Sequence, residues 1–366
     1  MKPDSYKVMG SDGGNVMVRP ESRDALKKVD AVVFDCDGTL IDVRESYDAT
    51  IMRTVRTMVE GFSAVSLPME EVGGQMILKI RGTGGFNSDW DTTYALSLLS
   101  EVAIEQCPRA ETGAEGAGVN RILARLRELI AEFSSKKRLE GNRSIDLYLS
   151  SRPGLESDRL REFRKFLGFP GSATQSPMAR TFDQIYYGGE LYREVYGVGP
   201  AVWYDDGLID RETLFVSRED LIRFRKILGG KKAMAIATGR PFVAVKHTLG
   251  SLLSYFERDA SVYIGDAEIY PELASEMAKY RKPSGASLVL AHRKLSANVM
   301  LYIGDSAEDR LMVDDARKRY GEILFAGIYG SSFSEGAQIS YFAGTDSDLL
   351  VRSVNQIPPA LEMMRR

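Results

Sequence analysis

The chain of 366 residues carries 48 Lys and Arg against 51 Asp and Glu, which gives a formal net charge of −3, and 44% of its residues are hydrophobic. This balance is typical of a soluble globular protein, and it offers no basic surface for nucleic acid or for an anionic membrane. The length exceeds that of one average domain, so we expect a large core together with a second unit.

The sequence has two cysteines, Cys36 and Cys107, which are too few for a disulfide framework and favour a reducing cytoplasm. Because Cys36 stands between two aspartates, a thiolate there would be electrostatically disfavoured, and we interpret it as a small buried hydrophobe. No apolar run in the sequence approaches the length of a membrane span, and the N-terminal stretch lacks the apolar core of a signal peptide. We therefore expect a cytoplasmic protein.

The first part of the chain has one strand pattern followed by a long helical region. Residues 1–29 give no clear pattern. The stretch AVVF at 31–34 is short, β-branched and aromatic, and turn residues follow it, so it predicts a buried strand. Apolar residues at helical spacing then occur over 44–60, 94–104 and 122–133, separated by Gly-rich or polar stretches.

After about Gly207 short apolar runs alternate with helical patterns. This alternation predicts an α/β fold with a parallel sheet covered on both faces, to which the strand at 31–34 also belongs. The segment 43–209 is then a mainly helical insertion between the first strand and the rest of the sheet. The four runs are AMAIATGR (233–240), SVYIGDAE (261–268), VMLYIGDSAED (299–309) and EILFAGIYG (322–330).

Residues that can carry chemistry follow the predicted strands. In an open parallel sheet, ligands bind at the carboxyl ends of the strands, near the point where the strand order reverses. Four segments that are far apart in the sequence are therefore predicted to meet at one edge of the sheet. They contribute Asp35, Asp37, Thr238, Gly239, Lys282, Asp305 and Asp309.

The pair Asp35 and Asp37 stands directly before Gly38, where the chain bends. Two adjacent carboxylates repel, and each disfavours ionisation of the other. A divalent cation would remove this penalty, and Asp305 supplies a further acidic oxygen ligand. An oxygen-rich site of this kind suits Mg²⁺, whereas no histidine lies near these motifs to favour zinc.

The other residue types at the strand ends suit phosphoryl transfer. The Thr238 hydroxyl and the Lys282 ammonium are donors matched to phosphoryl oxygens. Asp35 can act as the nucleophile, because carboxylates form aspartyl-phosphates. Asp37 can then serve as the general acid toward the leaving oxygen and afterwards as the general base on water.

Four motifs in the chain resemble those of the haloacid dehalogenase superfamily. FDCDGTLID resembles the first motif, IATGR the second, RKP the third and YIGDSAED the fourth, and they occur in the family's order. The likeness covers about residues 28–42 and 210–345. It implies a Mg²⁺-dependent phosphatase whose Rossmann-like core consists of residues 1–42 and 210–366.

The resemblance also implies a role for each matched residue. Asp35 would be the nucleophile, and Asp37 the acid and base whose backbone carbonyl also binds the metal. Thr238 and Lys282 would hold the phosphoryl group. The metal would be held by Asp35, Asp37, Asp305 and Asp309, and the substrate would lie against Gly38, Thr39 and Gly239.

The inserted segment 43–209 resembles the helical C1 cap of subfamily I, the phosphoglycolate-phosphatase-like group. A cap that closes over the phosphate must supply the specificity, so we expect a small phosphorylated metabolite as the substrate. The candidate substrate-binding residues of the cap are Arg81, Asn87, Asp89 and Trp90, although these side chains could instead hold the helices together.

The sequence departs from the family pattern at two places. The third motif reads KPSG, where relatives often have a second proline and an acid. The tetrapeptide YIGD occurs twice, but Asp266 of the other copy precedes Lys282 and lacks an acid four residues later. We therefore assign the metal to Asp305.

Three alternative functions are compatible with parts of this pattern. A phosphomutase of the same superfamily uses the same aspartate pair but returns the phosphoryl group to a sugar. A binding or regulatory protein could keep the fold without turnover. A glycosyltransferase with a DxD motif would hold a metal–nucleotide complex, but it would lack the Lys-Pro and GDxxxD partners.

Overall fold

The computed structural model describes residues 6–11, 14–83, 85–86, 88–107, 115–136, 141–199, 206–320, 322–332 and 334–366. The chain divides into two compact units. Met1–Val43 and Glu212–Arg366 form one of them, here called the sheet unit, and Arg44–Arg211 forms the other, here called the helical unit. No helix in the described ranges is long and apolar enough to cross a membrane.

Short apolar segments of the sheet unit form its strands. Every position is buried in the strands at 31–34, 234–238, 300–304, 323–328 and 349–351, as expected where a sheet is covered on both faces. The strands in chain order are β1 (Lys7–Ser11), β2 (Gly14–Val18), β3 (Ala31–Phe34), β4 (Ile41–Asp42), β5 (Thr213–Leu214), β6 (Met234–Thr238), β7 (Val262–Tyr263), β8 (Met300–Gly304), β9 (Ile323–Ile328) and β10 (Leu349–Val351).

Eight of the described strands form one sheet in the order β1-β2-β10-β9-β8-β3-β6-β7. The pairs from β10 to β7 are parallel, and β2 joins β10 in antiparallel fashion. The chain runs outward from β3 through β6 and β7 on one side, and then through β8, β9 and β10 on the other. Strand β3 therefore lies where the strand order reverses, and the predicted α/β fold with a parallel sheet is confirmed.

Two strands lie in the N-terminal region, where no clear pattern is evident from the sequence. Strands β1 and β2 form a hairpin that extends the sheet beyond β10. Their sequences, KVMGS and GNVMV, contain glycine and polar residues, so local periodicity is weak there. The hydrogen bonds between β2 and the buried strand β10 stabilise this hairpin although its own sequence has little strand periodicity.

Helices make up the described part of the helical unit. One of them, Met69–Arg81, lies in a Gly-rich stretch to which no helix is assigned from the sequence, because Gly73 and Gly74 weaken its helical pattern. The helices are α2 (Tyr47–Ser63), α3 (Met69–Arg81), α4 (Asp89–Gln106), α5 (Glu115–Ser134), α6 (Gly141–Ser150), α7 (Asp158–Leu167) and α8 (Pro177–Tyr196), after a short α1 (Arg23–Leu26) in the sheet unit.

The remaining helices belong to the sheet unit, where they lie between its strands or, in the case of the last one, after the final strand. Two of them, those beginning at Arg218 and Ala307, start with a capping box in which a serine and an aspartate three residues later satisfy the first backbone donors. These helices are α9 (Arg218–Ile227), α10 (Phe242–Leu249), α11 (Asp266–Ile269), α12 (Ala274–Met277), α13 (Ala286–Leu295), α14 (Ala307–Arg317), α15 (Glu335–Gly344) and α16 (Ile357–Arg365).

Candidate active site

The register of the sheet brings the ends of three strands together. Phe34, the last residue of β3, stands opposite Ile303 of β8 and Ile236 of β6. The peptide N–H of Asp35 donates to the Ile303 carbonyl oxygen at 2.8 Å, which extends this pairing by one residue. Asp35, Asp305 and the last residue of β6 therefore emerge at the same edge of the sheet.

Three carboxylates meet at this edge. One oxygen from each of Asp35, Asp305 and Asp309 lies within 4.8 Å of the other two. Burial, together with the charges of Asp309 and Asp35, raises the pKa of Asp305 well above its usual value. Burial also raises the pKa of Asp35 to about 6, although Lys282 opposes the rise. A divalent cation would neutralise this crowded charge, and the all-oxygen donor set fits Mg²⁺.

Gly38 makes room for this cluster. Its φ of +70° is a conformation that favours glycine, and a Cβ atom at this position would lie 1.9 Å from Oδ2 of Asp305. The Gly38 N–H donates to the Ile41 carbonyl oxygen at 2.9 Å, which closes the turn after β3. The glycine of the first motif is therefore required both by the turn and by the close approach of Asp305.

Asp309 is held by donors on both of its carboxylate oxygens. Its Oδ1 lies 2.6 Å from Nζ of Lys282 and accepts the Tyr302 hydroxyl at 2.7 Å. Its Oδ2 accepts the N–H and the hydroxyl of Ser306 at the start of α14. Burial raises the pKa of Asp309, but Lys282 and these hydrogen bonds outweigh burial and lower it below its usual value. Asp309 is thus an ionised anchor at the cluster.

Lys282 bridges two of the clustered carboxylates. Its Nζ lies 2.9 Å from Oδ1 of Asp35, in addition to its contact with Asp309. Burial opposes ionisation of the lysine, but the charges of Asp309 and Asp35 raise its pKa well above the usual value. The structure therefore places a buried ammonium beside the predicted nucleophile, where it would neutralise part of the charge on a phosphoryl group.

The side chain of Asp37 lies outside the carboxylate cluster. Its Oδ1 is 3.2 Å from Nη1 of Arg240, and its side chain keeps 35% of its exposure. The cluster of Asp35, Asp305 and Asp309 does not include the Asp37 carboxylate, and the metal contact predicted for the Asp37 backbone carbonyl stays a prediction. The Arg240 N–H donates to Oγ1 of Thr238 at 3.1 Å. The sequence prediction missed Arg240, although it stands in the IATGR motif directly after Thr238 and Gly239.

Two further residues hold Asp305 and were not predicted. The Ser331 hydroxyl donates to Oδ2 of Asp305 at 3.2 Å, and the Gln338 side-chain amide donates to its carbonyl oxygen at 2.5 Å. Asp266 of the other YIGD has a different role, because its Oδ1 accepts the Phe242 N–H at 2.6 Å at the start of α10. The observed carboxylate cluster contains Asp305 and not Asp266.

Of the substrate-contacting residues predicted in the sheet unit, two line a cavity and one is exposed. Gly38 and Thr39 line a cavity of about 200 Å³ together with Ser331 and Arg352. Thr39 is fully buried. Gly239 is exposed, and a Cβ atom there would meet nothing within 4 Å.

The predicted substrate-binding residues of the helical unit make contacts within that unit. Arg81 forms ion pairs with Asp48 at 2.7 Å and with Asp89 at 2.6 Å. The Trp90 indole N–H donates to Asp183 at 3.2 Å. Asn87 lies outside the described residues. These contacts hold helices together, and a substrate role for Arg81, Asp89 and Trp90 stays a prediction.

The solved structures that are similar to most of the chain include the following two. An X-ray structure determined by the Northeast Structural Genomics Consortium is 17% identical, with a TM-score of 0.58 over 91% of this chain and 98% of that chain. The phosphatase Tt82 from Thermococcus thioreducens is 23% identical, with a TM-score of 0.53 over 90% of this chain and 98% of that one. No family model and no curated protein sequence matches the chain. The similarity to the solved structures concerns the fold.

Proposed function

We propose that this α/β protein, whose motifs resemble those of the haloacid dehalogenase superfamily, is a Mg²⁺-dependent phosphatase acting on a small phosphorylated metabolite. The observation that carries the proposal is the position of Asp35. It follows the strand at which the sheet order reverses, it contacts the buried ammonium of Lys282, and it belongs to a cluster of three carboxylates. The fold is shared with a protein named a phosphatase, which agrees with this function.

Asp35 and Asp305 would hold the cation, with the backbone carbonyl of Asp37 as a further ligand and Asp309 in support. When bound, Mg²⁺ would neutralise the negative charge of the phosphoryl oxygens and of the carboxylates around them. The Lys282 ammonium and the Thr238 hydroxyl would donate to the same phosphoryl oxygens.

The reaction would proceed in two steps. A carboxylate oxygen of Asp35 attacks phosphorus, the bond from phosphorus to the ester oxygen breaks, and Asp37 gives its proton to the departing alcohol. In the second step water attacks the phosphorus of the aspartyl-phosphate while Asp37 takes a proton from it. Inorganic phosphate leaves, and both aspartates return to their starting states.

The small number of cysteines and the net charge support the remaining parts of the proposal. The two cysteines favour a cytoplasmic location. The net charge of −3 disfavours nucleic acid or an anionic membrane as a partner. We therefore propose that a small soluble phosphomonoester is the substrate.

Release of free phosphate from a panel of phosphomonoesters tests the function. The panel contains sugar phosphates, phosphoglycolate, histidinol phosphate and nucleotides, each with Mg²⁺ and with a chelator. Asp35→Asn is expected to lower turnover by at least about 10³-fold while the protein stays folded, because the amide is a poor nucleophile. The exposed Asp259→Asn of the same unit is the matched control and should keep full activity.

Two outcomes would contradict the proposal. Retained activity in Asp35→Asn would remove this residue as the nucleophile. Conversion of a sugar phosphate into its isomer without release of phosphate would indicate a phosphomutase.

A further inference from the structure

Arg240 has a fully buried side chain at the edge of the candidate active site. Arginine is seldom buried in this way unless it is paired. Its Nη2 donates to both carboxylate oxygens of Glu212 at 2.8 Å, and its Nη1 lies 3.2 Å from Oδ1 of Asp37. One guanidinium therefore joins a fully buried carboxylate to the half-buried carboxylate beside the predicted nucleophile.

We propose that Arg240 is a positioning residue, which holds the Asp37 carboxylate in the orientation needed for proton transfer, with Glu212 as its anchor. This inference rests on the proposed function, in which Asp37 is the acid and base. Asp37 lies outside the carboxylate cluster, on the turn after β3, with 35% of its side chain exposed. A short side chain in this setting needs a fixed partner to keep it directed at the leaving oxygen.

An arginine suits this geometry better than a lysine. The planar guanidinium holds several N–H donors in fixed directions, so it can contact two carboxylates at once. The ammonium of a lysine is a point charge at the end of a flexible side chain. Glu212 is itself held, because the Thr248 hydroxyl donates to its Oε2 at 2.7 Å. A buried ion pair gives little net stability because of its desolvation cost, so the contribution of this pair is orientation.

The backbone of Arg240 orients a second group of the site. Its N–H donates to Oγ1 of Thr238 at 3.1 Å. This bond occupies an acceptor position of the hydroxyl, so the hydroxyl is left to act as a donor. Thr238 is fully buried, and Cys36 is one of the neighbours of its side chain. Arg240 therefore links the predicted phosphoryl donor Thr238 to the predicted acid Asp37.

The dependence of kcat/KM on the leaving group tests this role. Dinitrophenolate departs without a proton, whereas an alkoxide needs one, so a misplaced Asp37 slows only substrates with basic leaving groups. The variant is the double substitution Arg240→Met with Glu212→Gln, which leaves no unpaired charge in the interior. We expect kcat/KM for an alkyl phosphate to fall about 10²–10³-fold, and that for 2,4-dinitrophenyl phosphate by less than about fivefold.

A second readout comes from the second step. Because hydrolysis of the aspartyl-phosphate needs Asp37 as a base, the double variant should release a stoichiometric burst of dinitrophenolate before a slow steady state. Asp37→Asn is the reference and should give the same leaving-group dependence. Arg240→Lys keeps the positive charge but not the planar set of donors. It should lower kcat/KM for the alkyl phosphate by a smaller factor, again with little effect on 2,4-dinitrophenyl phosphate. If the double variant fails to fold, this single variant carries the comparison.

Arg317→Lys is the matched control, because Arg317 also pairs with a buried carboxylate of the sheet unit, that of Asp348. Its Nη2 lies 2.6 Å from Oδ2 of Asp348. It should keep both activities. The inference would be overturned if the double variant lost kcat/KM equally for all leaving groups, or lost none for any of them. If Asp35→Asn still abolished turnover in that case, the proposed function itself would stand. A wild-type protein without turnover would overturn the proposed function and this inference with it.

Discussion

The Nζ atom of Lys282 lies 2.6 Å from the Oδ1 atom of Asp309, whose side chain is fully buried, while the side chain of Lys282 is 14% exposed. The two residues are 27 positions apart in the chain, on the loop before α13 and in the first turn of α14. Asp309 is fixed by the capping box of α14, so it gives the lysine a rigid counter-charge beside Asp35. Stability and chemistry therefore depend on the same ion pair.

Asp309→Asn is expected to destabilise the protein and to lower its activity. The substitution removes the charge-assisted contact between Asp309 and Lys282, and Asp35 remains as the carboxylate partner of the lysine. We expect a cost of about 1.5–3 kcal/mol in the free energy of unfolding. Turnover should fall as well, because Lys282 loses its orientation. Urea unfolding and phosphate release measure the two effects. Tyr302→Phe removes one hydrogen bond to the same carboxylate and should cost only about 1 kcal/mol. Equal stability of Asp309→Asn and wild type would refute this account.

Gly38→Ala is expected to weaken the binding of Mg²⁺. The new Cβ atom would lie 1.9 Å from Oδ2 of Asp305 and would sit at a φ of +70°, so the carboxylate must move away from the cluster. We expect the dissociation constant for Mg²⁺ to rise at least about tenfold, equivalent to about 1.4 kcal/mol, by isothermal titration calorimetry. Gly336→Ala is the control, because its Cβ would meet nothing within 4 Å. Unchanged Mg²⁺ affinity in Gly38→Ala would argue against Asp305 as a ligand.

The stabilisation of the protein by Mg²⁺ is expected to depend on pH. Burial raises the pKa of Asp35 from 3.8 to about 6 in the metal-free protein, so the folded state holds this proton more tightly than the unfolded state. Its contribution to stability is therefore complete below about pH 4 and is lost as the pH rises through about 6. Because Mg²⁺ binds the deprotonated carboxylates, it should raise the melting temperature more at pH 7.5 than at pH 5.

Asp305→Asn is the control for this measurement. Loss of the carboxylate should reduce the Mg²⁺-induced rise in melting temperature at pH 7.5. An equal rise at both pH values in the wild-type protein would show that the buried carboxylates do not hold the cation.

Asp183 is expected to make the helical unit less stable at alkaline pH. It accepts hydrogen bonds from Trp90 and from Tyr196, yet burial raises its pKa to about 7. The stability that its protonated form contributes is lost as the pH rises through about 7, on the order of a few kcal/mol. Asp183→Asn should therefore reduce the difference between urea midpoints at pH 5.5 and pH 8.5. The exposed Glu162→Gln on α7 should leave this difference intact, and an undiminished difference in Asp183→Asn would contradict the prediction.

The sequence by itself determined the central strands and the chemistry that follows them. AVVF, AMAIAT and MLYIG are continuous apolar runs because a parallel sheet buries both of its faces, and such runs are visible without knowledge of long-range contacts. The spacing GDxxxD also distinguished Asp305 from Asp266, because a capping aspartate four residues later is a local feature of the helix that follows.

Only the tertiary structure decided which partners these residues have. The hairpin of β1 and β2 gains its order from β10, more than 300 residues away in the chain. The carboxylate of Asp37 contacts Arg240 instead of joining the acidic cluster, and Glu212 anchors that arginine from a connection with no motif of its own. Such contacts join residues that are far apart in the chain when the sheet is buried. They are therefore not visible as a hydrophobic periodicity within any one stretch of the sequence.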